Sequence, residues 1–137
     1  MGSIETLIVL DTQIWIWWLH DPSKLTKKAL QAIEAAEANG GIRVSTISVW
    51  EIAVKNELGK IELPLEIREW FQRASVYPGM VIEPISAEDA IESTRLPGNF
   101  HRDPADRIIT AMARRYGVPL ITSDLKIRKY SHVQTIW

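Results

Sequence analysis

With 137 residues, 46% of them hydrophobic, the chain is long enough and apolar enough for one compact domain with a real core. Its formal net charge of -1, from 16 basic and 17 acidic residues, excludes a broadly basic nucleic-acid binder, so any grip on phosphates rests on local patches or bound cations. The absence of cysteine excludes disulfides and thiolate metal sites and fits a cytoplasmic protein.

Residues 4–10, "IETLIVL", predict a short buried strand ended by Asp11. That run is too short for a secretory core, and "IWIWWL" falls far below a membrane span. Met1-Gly2-Ser3 carries no weight in the reading. The helical stretch after Asp11 holds Trp15, Trp17 and Trp18 and stops near Asp21-Pro22. Trp15 and Trp18 share a face while Trp17 points elsewhere, so the three are either mostly core and partly exposed by chance, or an exposed aromatic patch for another subunit or a partner helix. "SKLTKKALQAIEAAEANGG" predicts a helix starting at Ser23 or Thr26 and stopping at Gly40-Gly41. "IRVS" is a second strand.

"STISVWEIAVKNELGKI" keeps Ile47, Trp50, Val54 and Leu58 at helical spacing. "LPLEIREWFQRASV" predicts a helix entered through Pro64, and Trp50 and Trp70 are both expected in the core. "MVIEPI" is a third strand and "SAEDAIESTRL" a short helix capped by Ser86. Asp103 and Pro104 then open a helix over residues 104–116, with Ala105, Ile108, Ile109, Met112 and Tyr116 on one stripe and Gly117 as its stop. "PLIT" is a fourth strand and "HVQTIW" a candidate fifth. Strands alternating with helices predict a three-layer α/β/α sandwich around a mainly parallel sheet, with ligands at the carboxyl edge of the strands.

Four acids stand out against that frame. Asp11 and Asp124 each follow an apolar strand, while Glu51 and Asp106 are expected in first helical turns. Each has a structural explanation. Glu51 lies three residues after Ser48 and four before Lys55, spacings for a capping box and an ion pair; Asp106 repeats the first of these behind Asp103. Taken together, all four point to one edge. There they would repel one another unless cations neutralised them, and an oxygen-only set suits Mg²⁺ or Mn²⁺. Such a centre can activate water against a phosphodiester. Other chemistries lack their motifs. His20, His101 and His132 have no zinc spacing, His101 reads as a loop residue before the cap, and neither a phosphate loop nor a nucleophile elbow occurs.

"VLDTQIWIWWL", "STISVWEIAVKNELGKIELP", "LPGNFHRDPADRIITAMARRYGVPLITSD" and the terminal "IW" resemble the PIN-domain family, and within it the VapC toxins of bacterial and archaeal toxin–antitoxin pairs. The resemblance runs from about residue 7 to the end. It implies a parallel α/β/α sandwich and a Mg²⁺- or Mn²⁺-dependent ribonuclease whose acidic quartet falls on Asp11, Glu51, Asp106 and Asp124. On this reading Asp11 and Asp106, helped by Asp124, hold the metal, and Glu51 binds it directly or through water and helps to orient the attacking water. Asp103 and Thr12 match supporting positions. The products carry a 3′-hydroxyl and a 5′-phosphate. Homodimers, and inhibition by a cognate antitoxin whose C-terminal segment lies across the active-site groove, are also implied, with Trp15, Trp17 and Trp18 as candidate partner contacts. Ala105 replaces a frequent aromatic, and Lys126, Arg128 and Lys129 make the segment after Asp124 unusually basic. Those three and Arg107 are candidate phosphate contacts.

Two readings compete with an RNA-cutting enzyme: a catalytically inactive interaction module on the same fold, and a nuclease acting on DNA. Haloacid-dehalogenase-type phosphatases want a second Asp two residues after the first, where this chain has Gln13, and a phosphoacceptor receiver domain wants acids that "LDTQ" and "MVIEPIS" do not supply.

Overall fold

A computed structural model of the chain describes residues 7–137. Among these residues five strands form one sheet: β1 Ile8–Leu10, β2 Ile42–Ser45, β3 Met80–Glu83, β4 Leu120–Ile121 and β5 Thr135–Ile136. Their order is β3-β2-β1-β4-β5 and every pairing is parallel. The chain therefore moves outward from β1 on one side through β2 and β3, then returns to the other side for β4 and β5. That reversal beside β1 is where an open parallel sheet leaves a crevice at its carboxyl edge. Residues 4–6 of the predicted first strand lie outside the described residues.

Alternation along β1 sorts the core into two layers. Ile8 and Leu10 face a cluster with Ile14, Trp15, Ile33, Ile52 and Trp70, whereas Val9 faces Ile109, Met112, Phe100 and Tyr130. Helices α1 Thr12–His20, α2 Lys27–Glu37 and α4 Ile67–Ser75 cover the first face. On the second lie α6 Pro104–Tyr116 and the four-residue α7 Leu125–Arg128. Helix α3 Thr46–Glu57 leaves the carboxyl end of β2. Helix α5 Ala87–Glu92 is pinned to α6 by Asp89, whose buried carboxylate takes two hydrogen bonds from Arg115, at 2.7 and 3.0 Å. Among the described residues no helix is long and apolar enough to cross a membrane.

The helix starts follow capping chemistry more closely than apolar spacing. Thr26 caps α2 and Ser86 caps α5, as expected. Helix α3 is capped by Ser45, not Ser48, which moves Glu51 out of the first turn and removes its capping role. Glu66, not Pro64, opens α4, its carboxylate accepting from the amides of Arg68 and Glu69. Helix α6 ends at Gly117, whose left-handed φ of 67° suits a residue without Cβ.

Two expectations about tryptophan are corrected. Trp50 is 55% exposed and lines up with Val54 and Leu58 on the open side of α3, since helical spacing does not say which side meets the core. Trp15 and Trp18 are buried, Trp15 completely, so neither is a partner contact; Trp15 packs edge-on against Trp70 with ring centroids 5.3 Å apart. Trp17 alone of the three stays partly open, tilted against Trp137.

Candidate active site

The carboxyl edge of the sheet brings three of the four acids into electrostatic contact. Asp11 follows β1 and is 7% exposed. Its Oδ1 accepts from the Thr12 amide at 2.9 Å and its Oδ2 from the Thr122 hydroxyl at 2.6 Å. Burial pushes Asp11 up to about 7; the Thr122 hydrogen bond opposes that, the Asp106 charge adds to it, the Thr12 amide opposes it, and Glu51 adds to it again. Asp106 rises to about 6, first through burial, with Asp103 and Glu51 raising it and His101 holding it down.

Asp106 sits in the first turn of α6, which begins with Asp103 accepting from the Asp106 amide at 2.9 Å and Pro104 at the first position. One of its carboxylate oxygens, Oδ2, lies 2.7 Å from Nε2 of His101, whose ring stacks on Phe100. Glu51 reaches the cluster from the middle of α3. Its Oε2 lies 3.9 Å from Lys55, while its buried Oε1 has no hydrogen-bond partner. A buried carboxylate oxygen left without a donor is costly, and it points to a ligand that would complete it.

Asp124 stands apart from these three. Its side chain caps α7, Oδ1 accepting from the Lys126 amide at 2.8 Å and the Ile127 amide at 3.3 Å. Its link to Asp11 runs through Thr122, whose hydroxyl oxygen also accepts from the Asp124 amide at 3.0 Å. Thr12 is buried and exchanges a 2.7 Å hydrogen bond with the Ser48 hydroxyl, which fixes the start of α1 against α3. Lys126, Arg128 and Lys129 are exposed on and just after α7.

Arg107 is not free to meet phosphate, which corrects the sequence expectation. Its guanidinium donates to the carbonyls of His101, Ser93 and Phe100 at 2.8, 2.9 and 2.7 Å, stapling the loop before α6 and holding His101 beside Asp106. Arg107→Ala is therefore expected to cost about 2–4 kcal/mol in urea unfolding, from three lost charge-assisted bonds to part-buried carbonyls. A variant of parental stability that bound RNA less well would return Arg107 to phosphate contact.

Sequence reading missed three residues of this site. Thr122 and Ser48 were hidden because a single hydroxyl carries no spacing signature, and Ser48 had been read as a cap. His101 was read as a loop residue, although it lies five positions before Asp106 and only the fold of the loop turns it back.

Among the described residues no three acids or histidines are already drawn close enough to hold an ion between them. The donor chemistry nonetheless suits a hard divalent cation: oxygen ligands only, two carboxyls raised by burial and mutual repulsion, and one orphaned carboxylate oxygen.

The PIN domain family matches residues 8–133. "Ribonuclease VapC22" of Mycobacterium tuberculosis (strain ATCC 25618 / H37Rv) is 35% identical over 135 residues, covering 96% of this chain and 99% of that protein. Among solved structures, a toxin–antitoxin complex from Klebsiella pneumoniae superposes with a TM-score of 0.60 at 22% identity, over 92% of this chain and 94% of that one. VapBC2 from Rickettsia felis, bound to a DNA fragment from its promoter, superposes with a TM-score of 0.67 at 16% identity, over 94% and 96%. At these identities the two structures share the fold.

Proposed function

The chain belongs to the PIN-domain family, in its VapC branch, and from that premise we propose that it is a metal-dependent endoribonuclease, the toxin of a toxin–antitoxin pair. The observation that supports the reading is that Asp11, Glu51 and Asp106, from three separate elements, lie near enough for Glu51 to raise both aspartates and Asp106 to raise Asp11, beyond the carboxyl end of the β1–β4 pair. A purely structural role would not bury two carboxyls at the expense of their ionisation and leave a third with an unpartnered oxygen.

Asp11, Asp106 and Glu51 would hold Mg²⁺ or Mn²⁺, with Asp124, whose Oδ1 takes both capping bonds, offering its other carboxylate oxygen. The bound ion supplies charge stabilisation at the phosphate and lowers the pKa of a water. The Thr122 hydroxyl keeps Asp11 oriented and ionisable, the Thr12–Ser48 bond fixes the height of α1, and Asp103 and Arg107 hold Asp106 at the mouth of the crevice. Attack by water on the phosphorus would leave a 3′-hydroxyl and a 5′-phosphate. Lys126, Arg128 and Lys129, all exposed, would meet the backbone beyond Asp124.

The same family reading makes the 137 residues one domain of a cytoplasmic protein, a homodimer held in check by an antitoxin. One structural relative is a toxin–antitoxin complex and the other is VapBC2, which supports the antitoxin part. The direct test is cleavage of a labelled structured RNA in Mg²⁺ or Mn²⁺ beside an EDTA control. Cutting that stops in EDTA and returns when metal is restored is the expected result. Cutting that ignores EDTA would remove the metal from the proposal, and metal binding without cutting of RNA or DNA would favour the inactive module.

A further inference from the structure

The three acids leave an open question: they repel the polyanion they are proposed to cut, and a chain of net charge -1 offers no general attraction. One local feature answers it. A groove of about 400 Å³ runs along α1 from Gln13, two residues past Asp11, to the turn that carries Lys24. Its opposite wall is the end of α3, with Lys55 and then Lys60. Lys55 is the partner of Glu51, so the groove begins where the acid cluster stops. Against its three ammonium groups stands one acid, Asp21, already engaged by the Ser23 hydroxyl at 2.6 Å. Lys24 and Lys60 are exposed and have no ion-pair partner among the described residues. Trp17, the one tryptophan of α1 that the core leaves partly open, supplies an aromatic wall.

We propose that this groove is a subsite for the single-stranded RNA flanking the cut, with Lys24, Lys55 and Lys60 on its phosphates and Trp17 under one base. The proposal rests on the ribonuclease reading and adds residues to it. Cations at fixed intervals along a channel track a backbone without reading sequence, and an aromatic face accepts any base, which is the general chemistry of single-strand binding. Its position extends the contact away from the acids on the side opposite the basic turn after Asp124.

The test is binding of a fluorescent single-stranded oligoribonucleotide to the Asp106→Asn protein in EDTA, so that the strand stays intact, over a range of salt. Adding Lys24→Gln with Lys60→Gln is expected to weaken binding about tenfold at low salt and to flatten the log–log salt slope by about 1.4, two contacts at about 0.7 each. Trp17→Ala is expected to weaken it by about tenfold with the slope unchanged. Lys27→Gln with Lys28→Gln, exposed on α2 and outside the groove, is the charge-matched control; melting curves identify any variant that fails to fold. Equal loss in control and groove variants, or an unchanged slope in the groove variant, overturns the proposal. Groove-specific loss beside a parent protein that cuts no RNA in metal upholds the groove as a single-strand-binding site and overturns the ribonuclease reading on which its place beside a cut rests.

Discussion

Replacing Asp11 with Asn is expected to abolish cleavage and, in the metal-free protein at pH 8, to raise the melting temperature. The first effect follows from removing the most buried acid of the cluster: several kcal/mol of transition-state stabilisation corresponds to about a thousandfold in rate. The second follows from the same burial. Folding raises Asp11 from 3.8 to about 7, so the native chain holds this proton more tightly than the unfolded chain. Stability from this group is therefore complete below about pH 4 and is lost as pH rises through about 7. The full shift sets a ceiling of about 4 kcal/mol at pH 8, and Asp106, raised to about 6, adds to it in the same direction. Asn cannot ionise, yet its amide can still accept from Thr12 and donate to Thr122. Melts of parent and variant should converge near pH 4 and separate by several degrees at pH 8. Saturating Mg²⁺ should narrow the gap, since only the parent gains from binding; metal at about 100 times its Kd is worth about 2.7 kcal/mol against that ceiling. A melting difference that ignored both pH and metal would remove the electrostatic account of this site.

Trp15→Ala is expected to be the most damaging single core truncation, costing about 3–5 kcal/mol and lowering the midpoint of urea unfolding. The indole is fully buried between β1 and α4, edge-on to Trp70, whose own N–H donates to His20 at 2.8 Å; removing it leaves a cavity in the larger of the two core layers. Trp50→Ala should stay within about 0.5 kcal/mol, because its ring lies mostly in solvent. The two residues look alike in sequence, each on an apolar helical stripe. Equal costs would mean that α3 is covered on its open side in solution.

That contrast marks where the sequence stops being informative. Strand-and-helix alternation, the strand-terminal acids and the "DPAD" start of α6 are local patterns, and each predicted element reappears in the fold within a few residues. Trp50, Ser48 and Arg107 failed for a shared reason: their roles depend on which element packs where. Whether an arginine faces solvent or three carbonyls of a neighbouring loop is decided by a path such as that of residues 93–103, which no periodicity encodes. The four acids were grouped in the sequence because a parallel order of strands sends every carboxyl end to one edge. That Asp124 caps α7 was one of two readings the sequence offered, and only the fold of that four-residue helix decides between a cap and a simple turn.

The bond from Thr122 to Asp11 joins residues 111 positions apart and depends on β4 settling beside β1. During translation, then, the first acid of the site leaves the ribosome long before the strand that orients it has been made. A nascent chain halted anywhere short of Thr122 carries unfinished chemistry, because closing so long a loop is a late event in folding. For an enzyme proposed to destroy RNA, this order of assembly separates synthesis from activity in time, before any inhibitor is needed.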